Sequence, residues 1–520
     1  MTVRALAAAA AAVVASVGLP PTSLPLLPLA MAVIFGLIAN SRGPREAFTL
    51  GFVAAIGLFA LHIVWLPASF SALLGPAFWA LFPLLLAALG AIWGGTAAAA
   101  RWAGRGGVGT LIVLAPLWIL VEWLRGIGFL GFPWGSLGYG WTDTPIAQWA
   151  DLIGVHGLSL VTAASAAALA APFVSAPATR FGARSVTSPF ALREPLGVRR
   201  LSPALLAAAV LATGWWGGAA RGRAVTTALP EPQASALLVQ GDVDPFGRAV
   251  SLGRELDVHL DLTSRSVAEA GRPPDLVIWP EGAVLGYPLE GFRGEPARAV
   301  IQASSPGSAF VLGGRARVEG GSSNAVYAIA AGELTGRYDK HVLVPFGERW
   351  PLIERAAPLY RMIFRLFDLP LLQNTVPGQG PAPLQTGTGP LAAYVCYESV
   401  FPQVPRRMVA AGAGVLVNIT NDAWFARGSG ARQHFDMGRM RAIETRRWLL
   451  RAGNDGITAV VDPTGTTRAA LPRGGPGTLE VRYARSDLLT PYVRWGGATP
   501  WILAVATLLA TAFAARGVHA

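Results

Sequence analysis

Three side chains in the second half of the chain have types and positions suited to nucleophilic catalysis. The sequence contains one cysteine, Cys396, and one lysine, Lys340, among its 42 basic residues. A cysteine attacks a carbonyl carbon as the thiolate, and a carboxylate such as Glu281 can accept its proton. A lysine ammonium is a compact charge that stabilises an oxyanion, here together with the backbone N–H of Tyr397. These residues predict a covalent nucleophilic site.

Short β-rich runs that alternate with helical stretches must position these side chains. Glu281 and Cys396 end two such runs, and Lys340 follows the run Gly-Arg-Tyr-Asp. Residues at strand ends converge on a crevice in α/β folds, so we expect the three side chains to meet. A Pro- and Gly-rich stretch, 368–388, is predicted to be a lid-like loop. The predicted strands are 236–240, 276–279, 309–313, 325–330, 391–396 and 415–419, and the predicted helices are 253–270 and 434–450.

The composition places this α/β region in a membrane protein. Apolar residues make up 52% of the chain and charged residues only 14%, with a mean hydropathy of +0.45. This profile excludes an ordinary soluble enzyme and a disordered chain. Apolar runs long enough to cross a bilayer as helices predict eight transmembrane spans. They are 5–19, 24–39, 47–66, 77–100, 109–124, 155–174, 201–219 and 500–515.

Arginines in the short connecting loops predict the orientation of these spans. With the N-terminus inside, the outer loops 20–23, 67–76 and 131–154 contain no Lys or Arg. Seven crossings then place the long segment outside, which is the periplasm of a Gram-negative cell, and both termini in the cytoplasm. The predicted division is transmembrane helices 1–7 in 1–220, a catalytic domain in 221–497 and helix 8 in 498–520. The inner loops contain Arg4, Arg42, Arg45, Arg101, Arg105, Arg180, Arg184, Arg193, Arg199, Arg200 and Arg516.

Two other readings of the same features are weaker. The net charge of +12 would suggest nucleic-acid binding in a soluble protein, but here the basic residues lie in loops that set membrane orientation. Arg4 followed by an apolar run also resembles a secretory signal peptide. Because no clear A-x-A cleavage site follows, we expect an uncleaved first helix. Because the basic residues lie in orientation-setting loops, we expect no nucleic-acid partner.

Several short motifs occur in order along the two parts of the chain. Those in the α/β segment are Trp279-Pro280-Glu281, Tyr338-Asp339-Lys340-His341, Cys396-Tyr397-Glu398, Asn418 to Phe425 and Gln433-His434. Those in the membrane half are Glu122-Trp123-Leu124-Arg125 and Gly131-Phe132-Pro133-Trp134. The motifs of the α/β segment resemble the carbon–nitrogen hydrolase, or nitrilase-like, superfamily with its Glu, Lys and Cys triad. With the membrane helices, the whole chain resembles the apolipoprotein N-acyltransferase family, in which a periplasmic nitrilase-like domain lies between the last two of eight helices.

The resemblance implies an αββα sandwich and a role for each matched residue. Glu281 would be the general base, Lys340 the oxyanion-stabilising residue and Cys396 the nucleophile. Supporting or substrate-binding residues would be Glu348, Tyr397, Glu398 and Trp424.

The implied reaction is a ping-pong acyl transfer at the inner membrane. The sn-1 acyl chain of a phospholipid, phosphatidylethanolamine as the expected donor, would pass through a thioester to the N-terminal amine of diacylglyceryl-cysteine apolipoproteins. No metal or cofactor is expected. The outer loop 131–154, which contains Trp134, Tyr139, Trp141 and Trp149, and the loop 368–388 are predicted to frame the lipid entrance, with these aromatics at the membrane surface.

Two alternatives belong to other functional classes. A membrane-tethered amidase would share the triad and use water as the acceptor, but eight spans are excessive for a tether. A transporter should have charged or broken helices at bilayer depth, and only Glu122, Arg125 and His62 fit that description.

Overall fold

A computed structural model describes residues 3–75, 78–174, 198–243, 253–366, 375–425 and 428–516. The first part is helical, because long apolar runs satisfy their backbone hydrogen bonds internally as helices. Its helices are α1 (Val3–Val17), α2 (Leu27–Ala39), α3 (Pro44–His62), α4 (Leu66–Leu74), α5 (Phe78–Ala103), α6 (Gly107–Arg125), α7 (Ala150–Ala170) and α8 (Val198–Ala228).

Among the described residues, six helical segments are long and apolar enough to cross a membrane: Pro44–His62, Trp79–Ala103, Gly107–Arg125, Pro145–Phe173, Leu201–Ala228 and Pro491–Arg516. The apolar helices α1 and α2 are shorter, but α1 packs on α2 and α3, and α2 packs on α6 and α7. Each of the eight predicted spans coincides with a helix. Arg180, Arg184 and Arg193 of one predicted inner loop lie outside the described residues.

The described stretches of the second part contain eleven strands and six helices. The strands are β1 (Ala234–Gln240), β2 (Leu276–Ile278), β3 (Ala309–Val318), β4 (Gly321–Ala330), β5 (Glu333–Asp339), β6 (Ala392–Val395), β7 (Leu416–Thr420), β8 (Leu449–Gly453), β9 (Ala459–Val461), β10 (Thr467–Ala470) and β11 (Gly477–Tyr483). The helices are α9 (Arg254–Ala270), α10 (Glu295–Ser304), α11 (Ile353–Leu366), α12 (Gln403–Ala410), α13 (Gly430–Thr445) and α14 (Pro491–Trp495), and α15 (Thr499–Arg516) ends the described chain.

The strands form two sheets that face each other. One has the order β11-β1-β2-β3-β4-β5, with β1, β2 and β3 parallel, and the other has the order β10-β9-β8-β7-β6, with β8, β7 and β6 parallel. The sheets touch through β1 with β8 and through β4 with β6. Helices α9 and α10 pack on the first sheet, and α12 and α13 on the second. The predicted αββα sandwich is confirmed.

The predicted helix 434–450 is wrong at its C-terminal end. Helix α13 ends at Thr445, Arg446 has a left-handed backbone (φ 51°), and β8 begins at Leu449. Nearly every residue of both elements is buried, so this stretch has no amphipathic period that would mark the change from helix to strand. The left-handed residue ends the helix and turns the chain into the second sheet.

The predicted domain boundary at residue 221 lies within α8, which continues without a break to Ala228. The other predicted boundary, at 497, lies in a 3-10 turn before α15. The first third of the predicted lid loop, 368–374, lies outside the described residues. The described part, 375–388, is tied to the sheet, because Val376 N–H donates to Ser322 O and Gly378 N–H donates to Lys340 O.

Candidate active site

The three predicted reactive residues lie at strand ends that the fold brings to one place. Glu281 follows β2, Lys340 directly follows β5, and Cys396 directly follows β6. Strand β5 is two antiparallel steps from β3, so it runs in the same direction as β2, and its C-terminal end lies at the same edge of the sheet. The second sheet presents the end of β6 across the interface.

Lys340 is the centre of a buried ion-pair cluster. Its side chain is 1% exposed, and its Nζ lies 2.9 Å from Glu348 Oε2 and 3.5 Å from Glu281 Oε1. Burial alone would lower the pKa of Lys340, but the negative charges of Glu348 and Glu281 outweigh it and raise that pKa. Lys340 therefore remains an ammonium, as the stabilisation of an oxyanion requires.

Glu281 is held by donors on both carboxylate oxygens. Asn324 Nδ2 donates to its Oε1 at 2.7 Å, and the backbone N–H of Asn421 donates to its Oε2 at 3.0 Å. Gly313 on β3 lets the backbone of Glu281 lie close to this strand, because a Cβ at position 313 would be 2.7 Å from the Cα of Glu281. The carboxylate is thus fixed by both sheets.

The same Asn324 amide also reaches the second carboxylate. It donates to Glu348 Oε1 at 3.0 Å, and Glu348 Oε2 accepts from Val344 N–H at 2.9 Å. Lys340 N–H in turn donates to Asn324 O. Asn324 therefore sets the spacing between the two carboxylates and the lysine, which the sequence alone did not indicate.

Cys396 is a buried thiol on a strained turn. Its φ of +47° lies in the left-handed region, which costs a non-glycine residue about 1–3 kcal/mol and is often found at functional sites. Burial raises the pKa of the Cys396 thiol, and the charge of Glu281 raises it further, although Lys340 opposes both. A thiol whose pKa is raised holds its proton at neutral pH, so a base must remove it.

Glu398 joins the Lys340 segment to the Cys396 segment. Its Oε1 accepts from Tyr338 OH at 2.7 Å and from the N–H groups of His341 and Val342, and its Oε2 accepts from Val395 N–H at 2.8 Å. Burial raises its pKa, although these hydrogen bonds oppose the rise. With these four donors Glu398, which is fully buried, positions the two segments that carry Lys340 and Cys396.

Tyr397 connects the site to the membrane half. Its OH donates to Gly131 O at 2.7 Å, and its ring stacks on Trp134 with centroids 5.8 Å apart. Trp424 is half-buried on the 3-10 turn Asp422–Phe425, directly after Asn421. Tyr397 thus directly follows the predicted nucleophile, and Trp424 lies three residues after Asn421, whose N–H binds Glu281.

Helix α13 forms most of the polar contact with the membrane half. Gln433 Oε1 accepts from the indole N–H groups of Trp65 and Trp134, and its Nε2 donates to His62 O. At the other end of α13, Glu444 accepts from Val155 N–H. The two halves are joined by specific hydrogen bonds between buried groups.

Three of the four outer-loop aromatics predicted for the membrane surface are buried inside the protein. Trp134 and Tyr139 contact the catalytic part, Trp141 donates to Thr162 on α7, and Trp149 is half-buried. The polar residues on α6 hold this loop in place, because Arg125 donates to Trp134 O and Glu122 accepts from Leu137 N–H. The charged groups of α6 thus have a structural use that differs from a transport pathway.

A second polar cluster behind Cys396 was not predicted to bear on the site. It contains Asp422, His434 and Arg451, with His434 Nε2 2.9 Å from Cys396 O. The motifs Asn418 to Phe425 and Gln433-His434 were the available signal, but no sequence pattern connects them to the cysteine.

Comparisons with known proteins cover almost the whole chain. The family described as Apolipoprotein N-acyltransferase N-terminal domain matches residues 11–168, and Carbon-nitrogen hydrolase matches residues 238–488. A relative named apolipoprotein N-acyltransferase from Geobacter metallireducens is 31% identical over 95% of this chain and 92% of its own length. One of the same name from Azotobacter vinelandii is 33% identical over 91% of this chain and 87% of its own length.

Among solved structures, an amidase from Nesterenkonia sp. AN1 is 22% identical, with a TM-score of 0.36, and the match covers 50% of this chain and 96% of the amidase. A carbon-nitrogen hydrolase from Helicobacter pylori is 17% identical, with a TM-score of 0.37, over 50% of this chain and 92% of its own.

Proposed function

Because this chain belongs to the apolipoprotein N-acyltransferase family, we propose that it transfers the sn-1 acyl chain of a phospholipid to the N-terminal amine of diacylglyceryl-cysteine apolipoproteins. The observation that carries the proposal is the meeting of Glu281, Lys340 and Cys396 in a chain that matches the family over nearly its full length. Phosphatidylethanolamine is the proposed donor.

In the first half-reaction, the Cys396 thiol attacks the ester carbonyl of the donor lipid. Glu281 accepts the thiol proton as the C–S bond forms, and Lys340 with the Tyr397 N–H stabilises the oxyanion. The ester C–O bond then breaks, and Glu281 returns the proton to the departing lysophospholipid. A protonated resting thiol fits this order, because attack begins only where the base is in place.

In the second half-reaction, the lipoprotein amine attacks the thioester. Glu281 accepts a proton from the attacking amine, an amide C–N bond forms, and the C–S bond breaks. Cys396 leaves as the thiolate and recovers its proton from Glu281. One base thus serves both halves, and Glu348 keeps the Lys340 ammonium in place throughout.

We further propose that eight helices cross the membrane, with the catalytic part in the periplasm and both termini in the cytoplasm. The arginine distribution supports this arrangement. The short helices α1 and α2 span about 20–23 Å, less than a hydrocarbon core of about 30 Å, but they pack within the bundle of longer helices. The proposed partition remains 1–220, 221–497 and 498–520.

The test is intact-mass spectrometry of the purified full-length protein after incubation with phosphatidylethanolamine, with Cys396→Ala as the matched control. We expect one added acyl mass that hydroxylamine removes and that is absent from the control. Addition of a diacylglyceryl-cysteine peptide should discharge the adduct and yield the N-acylated peptide. A folded protein that gains no acyl mass but hydrolyses small amides would overturn the proposal in favour of an amidase.

A further inference from the structure

The imidazole of His434 lies directly behind the turn that carries the nucleophile. Its side chain is fully buried, with Nε2 2.9 Å from Cys396 O and 2.7 Å from Ser399 Oγ. The 3-10 helix Cys396–Val400 begins at the same point, so His434 touches both ends of its first turn. No step of the proposed reaction uses this side chain.

The contacts of the other ring nitrogen indicate where the proton lies. Nδ1 is 3.1 Å from Arg451 Nη2 and 3.0 Å from Asp422 Oδ1. Asp422 already accepts from Arg451 at 2.7 Å and from Thr420 OH at 3.0 Å, so its carboxylate has donors besides the imidazole. Arg451 can donate to an unprotonated Nδ1.

A backbone carbonyl can only accept, so the contact with Cys396 O is a hydrogen bond only when Nε2 carries a proton. Burial lowers the pKa of His434, which favours the neutral ring over the imidazolium. The neutral form with its proton on Nε2 satisfies the Cys396 carbonyl. Nδ1 and Asp422 Oδ1, 3.0 Å apart, are then both acceptors, and Arg451 Nη2 bridges the two side chains by donating to Nδ1 and to Asp422 Oδ2.

This hydrogen bond determines the direction of the next N–H group. A trans peptide is planar, and its C=O and N–H point in opposite directions. With Cys396 O pointing at His434, the N–H of Tyr397 points away from His434. A rotation of the Cys396–Tyr397 peptide would redirect the Tyr397 N–H. Cys396 has a strained left-handed backbone, so this conformation persists only where surrounding contacts, such as the one with His434, support it.

We propose that His434 is a positioning residue that fixes the Cys396–Tyr397 peptide through an Nε2–H bond to Cys396 O and so aims the Tyr397 N–H at the oxyanion. The inference rests on the proposed function, because the oxyanion arises only if Cys396 attacks an acyl carbonyl. It adds to that function a role for a side chain that does not touch the substrate.

The test compares two amide replacements of the same residue. In His434→Gln the side-chain amide reaches the Nε2 position and can donate to Cys396 O. In His434→Asn it reaches only the Nδ1 position. His434→Met, which has the length of Gln and no donor, is a second loss variant. Each full-length variant is acylated in single-turnover reactions with phosphatidylethanolamine and with a p-nitrophenyl ester, and is separately alkylated at Cys396 with iodoacetamide.

Alkylation by iodoacetamide forms no oxyanion, so it reports the fold and the thiol but not the direction of the Tyr397 N–H. We expect His434→Asn and His434→Met to lose about 10²-fold in acylation rate from both donors, as misdirected catalytic groups do, with alkylation unchanged. His434→Gln should retain most of the acylation rate. Equal acylation in the Gln and Asn variants would overturn the inference, as would a parallel loss of alkylation.

The two donors separate this inference from the proposed function. Wild-type protein acylated by the p-nitrophenyl ester but not by phosphatidylethanolamine would contradict the proposed lipid donor, while the comparison of variants would still decide the role of His434. Wild-type protein acylated by neither donor would overturn both. Alkylation of a loss variant at the wild-type rate shows that its site is folded.

Discussion

The buried ion-pair cluster predicts how strongly Lys340→Met should destabilise the protein. The replacement leaves Glu281 and Glu348 facing each other at a site where the lysine is 1% exposed and the carboxylates 11% and 18%. Removing one partner of a buried pair costs about 3–5 kcal/mol. For a domain of this size that corresponds to a fall in Tm of roughly 6–20 °C.

The loss should depend on pH in a defined direction. Burial tends to raise the pKa of Glu348, but Lys340 and Val344 N–H lower it overall. The contribution of Glu348 to the free energy of unfolding is therefore complete above about pH 4.3, the pKa of an unfolded Glu, and is lost as the pH falls through the lower folded pKa. The pKa of Lys340 is raised, so its contribution to the free energy of unfolding is complete below about pH 10.4, the pKa of an unfolded Lys. That contribution is lost only as the pH rises through the higher folded pKa. The wild-type pair is therefore intact between these limits.

In Lys340→Met, Glu348 loses the counter-charge that lowers its pKa, so it binds a proton at higher pH and its repulsion with the neighbouring carboxylate is relieved on acidification. The difference in Tm from wild type, measured by tryptophan fluorescence in detergent, should be large at pH 8 and smaller at pH 5. Arg265→Met is the matched control, because Arg265 forms an exposed pair with Asp261 and its loss should change Tm little. A difference that is the same at both pH values, or no larger than that of the control, would refute the reasoning.

Three further perturbations test other parts of the site. Gly313→Ala places a methyl group 2.7 Å from the Cα of Glu281 and should slow acylation about 10²-fold while alkylation of Cys396 continues, as mass spectrometry of both adducts would detect. In a rate–pH profile, the alkylation rate of Cys396 should still rise above pH 9, because burial raises the pKa of the thiol. Glu281→Gln should shift this rise to lower pH, because it removes a negative charge that raises the same pKa. Gln433→Leu removes the acceptor of the indole N–H groups of two tryptophans, and each buried donor left unpaired costs about 1–3 kcal/mol of stability. The variant should therefore have a lower Tm, and an unchanged Tm would mean that other acceptors replace Gln433.

The family and the outline of the fold could be predicted from the sequence because their signals are local. An apolar run of sufficient length forms a helix with its own backbone hydrogen bonds, and each of the eight predicted spans coincides with one. The six predicted strands also exist, because short β-rich runs between turn residues are a local signal. The single cysteine and single lysine at strand ends identified the candidate site before any contact was known.

Local sequence signals do not predict element boundaries where every residue is buried, nor contacts between residues that are distant in sequence. Helix α13 and strand β8 are both buried throughout, so the pattern gave no sign that the helix stops at Thr445. The loop containing Trp134 and Tyr139 has the composition of a membrane-surface loop, yet its aromatics are buried because α13 covers them and supplies Gln433 as a hydrogen-bond acceptor.

The sequence by itself determined which side chains are available for chemistry, and the tertiary structure decided their protonation states and directions. Cys396 would be expected to have a lowered thiol pKa next to Lys340, but burial reverses the direction, and burial is a property of the packed sheets. Asn324 donates to Glu281 and Glu348, which lie 43 and 24 positions away, and His434 contacts Cys396 O from 38 positions away. Such bonds depend on distances between elements that only the folded chain fixes.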